Sequence, residues 1–379
     1  MPDVLILGDT ERSAALRHEL PLGIGDPFLY AEVGGVRHVV ISSLEVPRIA
    51  ELPGPYAIHP FDEFGIDELL ASGCGRDAAL LEVHSRAVRT LGVRRALVPA
   101  EFPLEAADRL RADGVELIVD RELFNGRRRV KSEAEVAGVR RAQRGTEAAL
   151  DAARALLRAS APGADGLLQL DGAPLTCERL RVAVYQAFLD HGLVAEAAIV
   201  SHGAQTAIGH DEGSGAIRPH EPVLLDLFPR DRASGCFTDM TRTWVWGEPS
   251  AELREWHALC RQALEQAIVS ARPGVTGRDL WAATCELFEG HGHATQRTKQ
   301  PGVVLDHGFY HGLGHGVGLE VHEEPGVGRS GGELVAGDVI ALEPGLYRPG
   351  FGGVRLEDTI LVTPTGGVSF AAYPYDLEP

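Results

Sequence analysis

From about residue 130 onward the chain repeats its own plan, and this repetition constrains the fold more than any single motif does. Ser132-Glu133-Ala134-Glu135 has capping-box spacing and opens a long amphipathic helix to about residue 159, with Val136, Val139, Leu150, Ala153 and Leu157 on its buried side. A second helix over about 176–190 follows, stopped near Gly192. The pattern then recurs as a long helix over about 250–271, stopped by Pro273-Gly274, and another from the Thr276 cap to about residue 289. After each helix pair comes a histidine-bearing segment and then two strand-like runs, each run carrying an acid. Pro222-Val223-Leu224-Leu225-Asp226 parallels Val339-Ile340-Ala341-Leu342-Glu343, and Thr238-Asp239-Met240-Thr241 parallels Leu356-Glu357-Asp358-Thr359. Two similar halves packed about an approximate two-fold axis would bring Asp226, Asp239, Glu343 and Glu357 together.

A charged side chain inside an apolar run is costly to bury unless a cation or a proton compensates it. The stretch His311-Gly312-Leu313-Gly314-His315-Gly316-Val317-Gly318-Leu319-Glu320-Val321-His322-Glu323 adds three imidazoles among glycines that permit close backbone approach. Four carboxylates and one imidazole make a hard, oxygen-rich site suited to manganese, cobalt or zinc-like divalent ions. Without cations, carboxylates at such spacing repel one another and some must take up protons.

Residues 1–129 alternate short apolar strands with helical runs, which predicts a separate α/β domain ahead of the repeated region, 130–379. Gly34-Gly35 between Phe28–Val33 and Val36–Ile41 reads as a hairpin turn. Helices are predicted over 77–91 and 104–112, and strands over 96–99 and 115–119. The basic run Arg127-Arg128-Arg129-Val130-Lys131 reads as a solvated linker between the domains.

With 54 acidic against 36 basic residues the chain carries a net charge of −18, which argues against nucleic acid as the main partner. The start Met1-Pro2-Asp3 lacks a basic signal-peptide region, and no segment is long and apolar enough to span a bilayer, so a cytoplasmic protein is expected. Five scattered cysteines without Cys-x-x-Cys spacing read as reduced thiols, mostly core fillers.

The blocks at Asp226, Thr238–Thr243, His311–Glu323, Glu343-Pro344-Gly345 and Arg355-Leu356-Glu357-Asp358 resemble, in order, those of the pita-bread metallopeptidases: prolidases, aminopeptidase P and methionine aminopeptidases. The amino-terminal α/β domain is similar to the creatinase-type domain of the Xaa-Pro branch. The resemblance implies a catalytic domain of α+β pita-bread fold with internal pseudo-two-fold symmetry. It implies two divalent ions, manganese foremost: Asp226 on one, His315 and Glu343 on the other, and Asp239 and Glu357 bridging both. It makes His311 and His322 groups that bind peptide and stabilise the oxyanion, with Glu343 as proton acceptor. His210 becomes a substrate-side histidine, and Arg355 a group that orients its neighbouring carboxylate or contacts substrate. Arg329 resembles the arginine with which prolidases hold a dipeptide's carboxylate. Small peptides with proline second are the implied substrates, and a homodimer the implied assembly. A prolidase-like Xaa-Pro dipeptidase is the leading reading, with an aminopeptidase P-like enzyme on longer peptides as runner-up and a catalytically silent binding module as the alternative of another class.

One departure from the family pattern stands out. The connection from Asp226 to Asp239 is about two residues longer than usual, which predicts a bulged hairpin that still returns Asp239 to the cage. Gly328-Arg329-Ser330-Gly331-Gly332 fits a G-x-S-x-G pattern but lacks the strand-to-helix setting of a nucleophile elbow. Trp244 and Trp246 read as packing residues able to flank the mouth of the site.

Overall fold

The computed structural model describes residues 2–379, which divide into two compact units, the first ending at Arg128 and the second running over Arg129–Pro379. The first unit is built on one mixed sheet of β1 (Asp3–Gly8), β2 (Phe28–Val33), β3 (Val36–Ile41), β4 (Tyr56–Pro60), β5 (Arg95–Val98) and β6 (Glu116–Val119), ordered β4-β3-β2-β1-β5-β6. Helices α1 (Ala14–Glu19), α2 (Val46–Ala50), α3 (Ile66–Ala71), α4 (Arg76–Thr90), α5 (Leu104–Ala112) and α6 (Arg121–Arg129) accompany it. Separate apolar clusters form, one around Leu5, Leu29, Val83 and Val88 and the other around Ile6, Leu16, Phe28 and Tyr30. This is the expected α/β arrangement, with the Gly34-Gly35 turn at positive φ between β2 and β3.

The second unit begins with α7 (Glu133–Ala159), whose capping box at Ser132 and Glu135 forms as the spacing predicts. A small three-stranded sheet of β7 (Ala161–Pro162), β8 (Leu168–Leu170) and β9 (Ala173–Pro174) leads to α8 (Cys177–Asp190), then β10 (Leu193–Val194) and β11 (Ile199–His202). Next come β12 (Pro222–Leu227), β13 (Arg230–Asp231) and β14 (Met240–Val245). The second half repeats this with α9 (Ala251–Ser270), α10 (Gly277–Gly290), β15 (Gly314–Gly316), β16 (Glu323–Val327) and β17 (Val339–Leu342), followed by the hairpin β18 (Gly345–Arg348) and β19 (Gly352–Arg355), then β20 (Asp358–Thr363) and β21 (Gly366–Ser369). The half-sheets β11-β12-β14 and β16-β15-β17-β20-β21 are each antiparallel and each backed by one helix pair, α7 and α8 or α9 and α10. They meet where Glu357 N donates to Thr241 O at 3.1 Å and Asp239 N donates to Thr359 Oγ1 at 2.9 Å.

The long connection between the paired aspartates does return as expected. β13 leaves the hairpin to pair with β10, Asp231 N donates to Cys236 O at 2.8 Å, and Leu227 and Met240 resume the β12–β14 register. The basic run is not a solvated linker, because each of its cations finds an acid distant in sequence or is enclosed. Arg127 pairs with Glu19 and Glu32, Arg128 is buried, Arg129 pairs with Asp338 at 2.8 Å, and Lys131 pairs with Glu323. Trp244 is fully buried in the core around Met240 and Phe188, so it packs and does not flank the site. All five cysteines are free thiols and four are buried. No described helix is long and apolar enough to cross a membrane.

Gly314 shows how tightly the site strand is seated, since a Cβ there would lie 1.9 Å from Ala341 O of β17. Gly314→Ala is therefore expected to destabilise the second unit by about 2 kcal/mol through overpacking, read as a lowered urea midpoint with an unchanged slope.

Candidate metal centre

Strand alternation places the acids. Asp226 pairs with Thr241 across β12 and β14, and Asp239 lies two residues before Thr241, so both carboxylates project from the same face. Leu342 pairs with Asp358 across β17 and β20, and one step further along that ladder Glu343 stands opposite Glu357. His315 occupies the middle of β15, paired with Ala341. Its ring meets that of His322 edge-on, with centroids 4.2 Å apart.

These groups converge on a cavity of about 500 Å³. Asp226, Asp239, His315, Glu343, Glu357, His210, His311, His322 and Arg355 all line it, together with Ile199, Phe228, Val321 and Tyr310. Ligand atoms of Asp239, His315 and Glu357 lie within 4.8 Å of one another. His315 Nε2 is 3.7 Å from Asp239 Oδ2 and 4.0 Å from Glu343 Oε1. Arg329 is the exception among the sequence candidates. It is exposed on the loop after β16, outside the lining, because Gly331 and Gly332 tie that loop to the start of α10 through Arg278 N and Gly277 N.

The electrostatics are those of crowded, desolvated like charges. Burial, then the charges of Glu357, Asp226 and Glu343, push Asp239 well above the usual carboxylate range. Burial and the charges of Asp226 and Glu343 do the same to Glu357, and burial brings Glu343 up to about 7 against the lowering pull of Arg355. Desolvation holds His311 at about 3 and His315 at about 4, so both rings are neutral near pH 7. The one guanidinium in the cavity, Arg355, pairs with Asp226 and donates to Thr241 Oγ1 and Tyr347 Oη, each at 3.2 Å. It thus orients the carboxylate across the cage rather than the adjacent Glu357, which accepts from Thr241 Oγ1 at 2.7 Å. Tyr347 Oη lies 2.9 Å from His311 Nε2, and His311 Nδ1 lies 2.7 Å from Gly312 O, so both ring nitrogens are engaged.

Asp226 Oδ1 and Asp239 Oδ1 are buried without a hydrogen-bond partner. Orphaned anionic oxygens beside a neutral imidazole are donors arranged for cations, and the oxygen-rich set fits hard divalent ions. Tyr347 and Thr241 escaped sequence reasoning. Tyr347 follows Glu343-Pro344-Gly345 by two residues, and Thr241 shares the face of Asp239 by alternation, which was the available signal.

The model of metallopeptidase family M24 matches residues 137–364, more than half of the chain. The chain belongs to metallopeptidase family M24. Membership brings divalent metal dependence with it, and the acid-and-imidazole cage lies inside the matched region. The Xaa-Pro dipeptidase of Pyrococcus furiosus is 34% identical over 170 residues, 44% of this chain and 45% of that protein. The Xaa-Pro dipeptidase of Lactobacillus helveticus is 34% identical over 199 residues, 51% of this chain and 50% of its own length. The chain thus spans about half the length of the curated relatives it matches. Among solved structures, an Xaa-Pro dipeptidase from Bacillus anthracis superposes with a TM-score of 0.79 at 21% identity, covering 100% of this chain and 94% of that one. The X-Pro aminopeptidase from Thermotoga maritima gives 0.78 at 21% identity, covering 98% and 96%. The M24 chain therefore has the two-part fold of these proteins, a creatinase-type α/β unit followed by the pita-bread unit.

Metal binding must displace the protons that the crowded carboxylates retain. The rise in melting temperature on adding manganese is accordingly expected to be larger at pH 7.5 than at pH 5. Below about pH 7 Glu343 holds a proton that competes with the cation, whereas above it the metal-free protein carries unrelieved repulsion. The buried histidines titrate in both samples below this range, so they cancel in the difference. Differential scanning fluorimetry with and without chelator checks this, and a metal-induced shift that shrinks as pH rises would contradict it.

Proposed function

We propose that this chain is a binuclear metal-dependent peptidase that hydrolyses the Xaa-Pro bond, dipeptides foremost. The observation that carries the reading is the convergence of Asp226, Asp239, Glu343, Glu357 and His315 on a single cavity with no serine, threonine or cysteine in its lining. Asp226 would hold one ion, His315 and Glu343 the other, with Asp239 and Glu357 shared, and manganese suits the donor set best. When bound, the two ions would supply a water of lowered pKa and polarise the scissile carbonyl.

The chain's own residues do the rest. Glu343 is the least buried of the four acids, so it is placed to take a proton from water and return it to proline's ring nitrogen. His322, exposed at the cavity wall, meets the peptide. His311 stands beside Glu343 with both ring nitrogens taken, by Tyr347 Oη and Gly312 O, so it would meet the developing negative charge only by giving up one of those partners. His210 stands at the outer wall on the substrate side. The apolar side chains Ile199, Phe228 and Val321 suit a pyrrolidine ring. The names of the M24 relatives, which include dipeptidases acting at Xaa-Pro, support this choice of substrate.

The position of Arg329 favours a second reading, aminopeptidase P-like trimming of longer peptides. With Arg329 outside the lining and Arg355 engaged by Asp226, a dipeptide's carboxylate meets histidines and no available guanidinium. A silent module is disfavoured, since all five ligand residues are present. A cytoplasmic homodimer completes the proposal by family resemblance, and light scattering tests the assembly.

Incubation with manganese is expected to release free proline from Xaa-Pro dipeptides, with activity lost on chelation and abolished in Asp239→Asn. Cleavage only after the first residue of an Xaa-Pro tripeptide would select the second reading, and turnover of neither by metal-loaded protein would sink both.

A further inference from the structure

Lys131 and Glu323 form an ion pair whose side chains are 2% and 3% exposed, and neither residue belongs to the cavity lining. Such a pair is costly to build, because two charges must leave water. Its location gives it a use. Glu323 is the first residue of β16 and follows His322 directly, while Gly316, the last residue of β15, is its register partner. The loop between them, residues 317–322, therefore starts beside His315 and ends on His322.

The pair packs against the middle of this loop. A Cβ on Gly318 would lie 2.5 Å from Glu323 Oε1 and 2.8 Å from Lys131 Cε, so the backbone rests on the ion pair itself. The other side of the loop is held by Phe237 N donating to Gly318 O at 2.7 Å and by Val317 N donating to Val339 O at 2.9 Å. Lys131 is fixed in turn by its neighbour Arg129, whose guanidinium pairs with the fully buried Asp338. His322 has no comparable support of its own: it is exposed, and the contact that orients its ring is the edge-on stack with His315.

We infer that the buried Lys131–Glu323 pair is a positioning device for His322, fixing the 317–322 loop so that this histidine meets the substrate. The inference rests on the peptidase reading, in which His322 binds peptide. Lys131 acts through the loop and touches no reacting atom. It therefore governs substrate binding, while the metal-holding acids, Asp226 on β12, Asp239 ahead of β14, Glu343 after β17 and Glu357 ahead of β20, keep their places.

The test uses the full metal-loaded chain and the variants Lys131→Met, Glu323→Gln, His322→Asn and Lys131→Met/His322→Asn. Lys131→Met is expected to raise KM for an Xaa-Pro peptide about tenfold, with kcat within about threefold and metal content unchanged. In the His322→Asn background the same change should add less than about twofold, because its route of action is already gone. Additive losses, or an equal fall in kcat with loss of metal, would overturn the inference. Glu323→Gln keeps the size and leaves no unpaired carboxylate, so it carries the same comparison if Lys131→Met does not fold. Hydrogen exchange followed by mass spectrometry is independent of activity. Residues 316–323 should exchange faster in either variant while residues 222–227 do not, and unchanged protection of the loop would refute the positioning role. Absence of turnover by the wild type would instead remove the peptidase reading and leave the exchange result to stand or fall alone.

Discussion

Repulsion among four desolvated carboxylates is the constraint around which the second unit is arranged. Asp226, Asp239 and Glu357 are buried and Glu343 opens to the cavity, with Arg355 as the single fixed cation among them. One guanidinium cannot neutralise four acids, so the protein holds protons there, or cations, as a condition of being folded. The framework resists this repulsion with ties placed immediately behind the acids. Thr359 Oγ1 receives Asp239 N and donates to Asp239 O at 2.8 Å, and Thr241 Oγ1 donates to Glu357. Arg242, fully buried, pairs with Asp358 at 2.9 Å and donates to the carbonyls of Thr241 and Glu357. A fully satisfied buried guanidinium of this kind links both half-sheets at the residues flanking the cage.

The same logic explains why the second unit needs two halves. A single three-stranded half-sheet could bury one face against its helix pair but would present only two acids at its end. Pairing the halves supplies the other two acids and closes the cavity, with each helix pair covering the sheet it follows in sequence. The histidine strand β15 lies flush on β17 because Gly314 has no side chain, which sets the imidazole of His315 at the level of Glu343.

Much of this was legible in the sequence because it is local or periodic. Helix caps at Ser132 and Thr276, the acid at the end of each apolar run, and the matching order of the two halves are all written in short stretches. So was the return of the long Asp226–Asp239 connection. What stayed hidden depends on partners far away in the chain. Arg127, Arg129 and Lys131 look like a solvated basic run until Glu32, Asp338 and Glu323 are brought beside them. The place of Arg329 outside the cavity lining depends on the glycines of its loop accepting from the start of α10. Tyr347 carries no charge to mark it, yet it links Arg355 to His311.

The division of the cavity wall bears on what it accepts. Its polar groups are acids, imidazoles, the Tyr310 phenol and the Arg355 guanidinium, and beside them stand apolar side chains, Ile199 and Phe228 next to Asp226 and Val321 next to His322. A secondary amide leaving group would need an acceptor for its N–H, whereas the amide before proline has none to satisfy. Under the proposed peptidase reading, the apolar wall formed by Ile199, Phe228 and Val321 would therefore cost a prolyl substrate nothing and offer the N–H of an ordinary peptide no acceptor. Discrimination of this kind comes from what the wall withholds, and it requires no residue dedicated to recognising the ring.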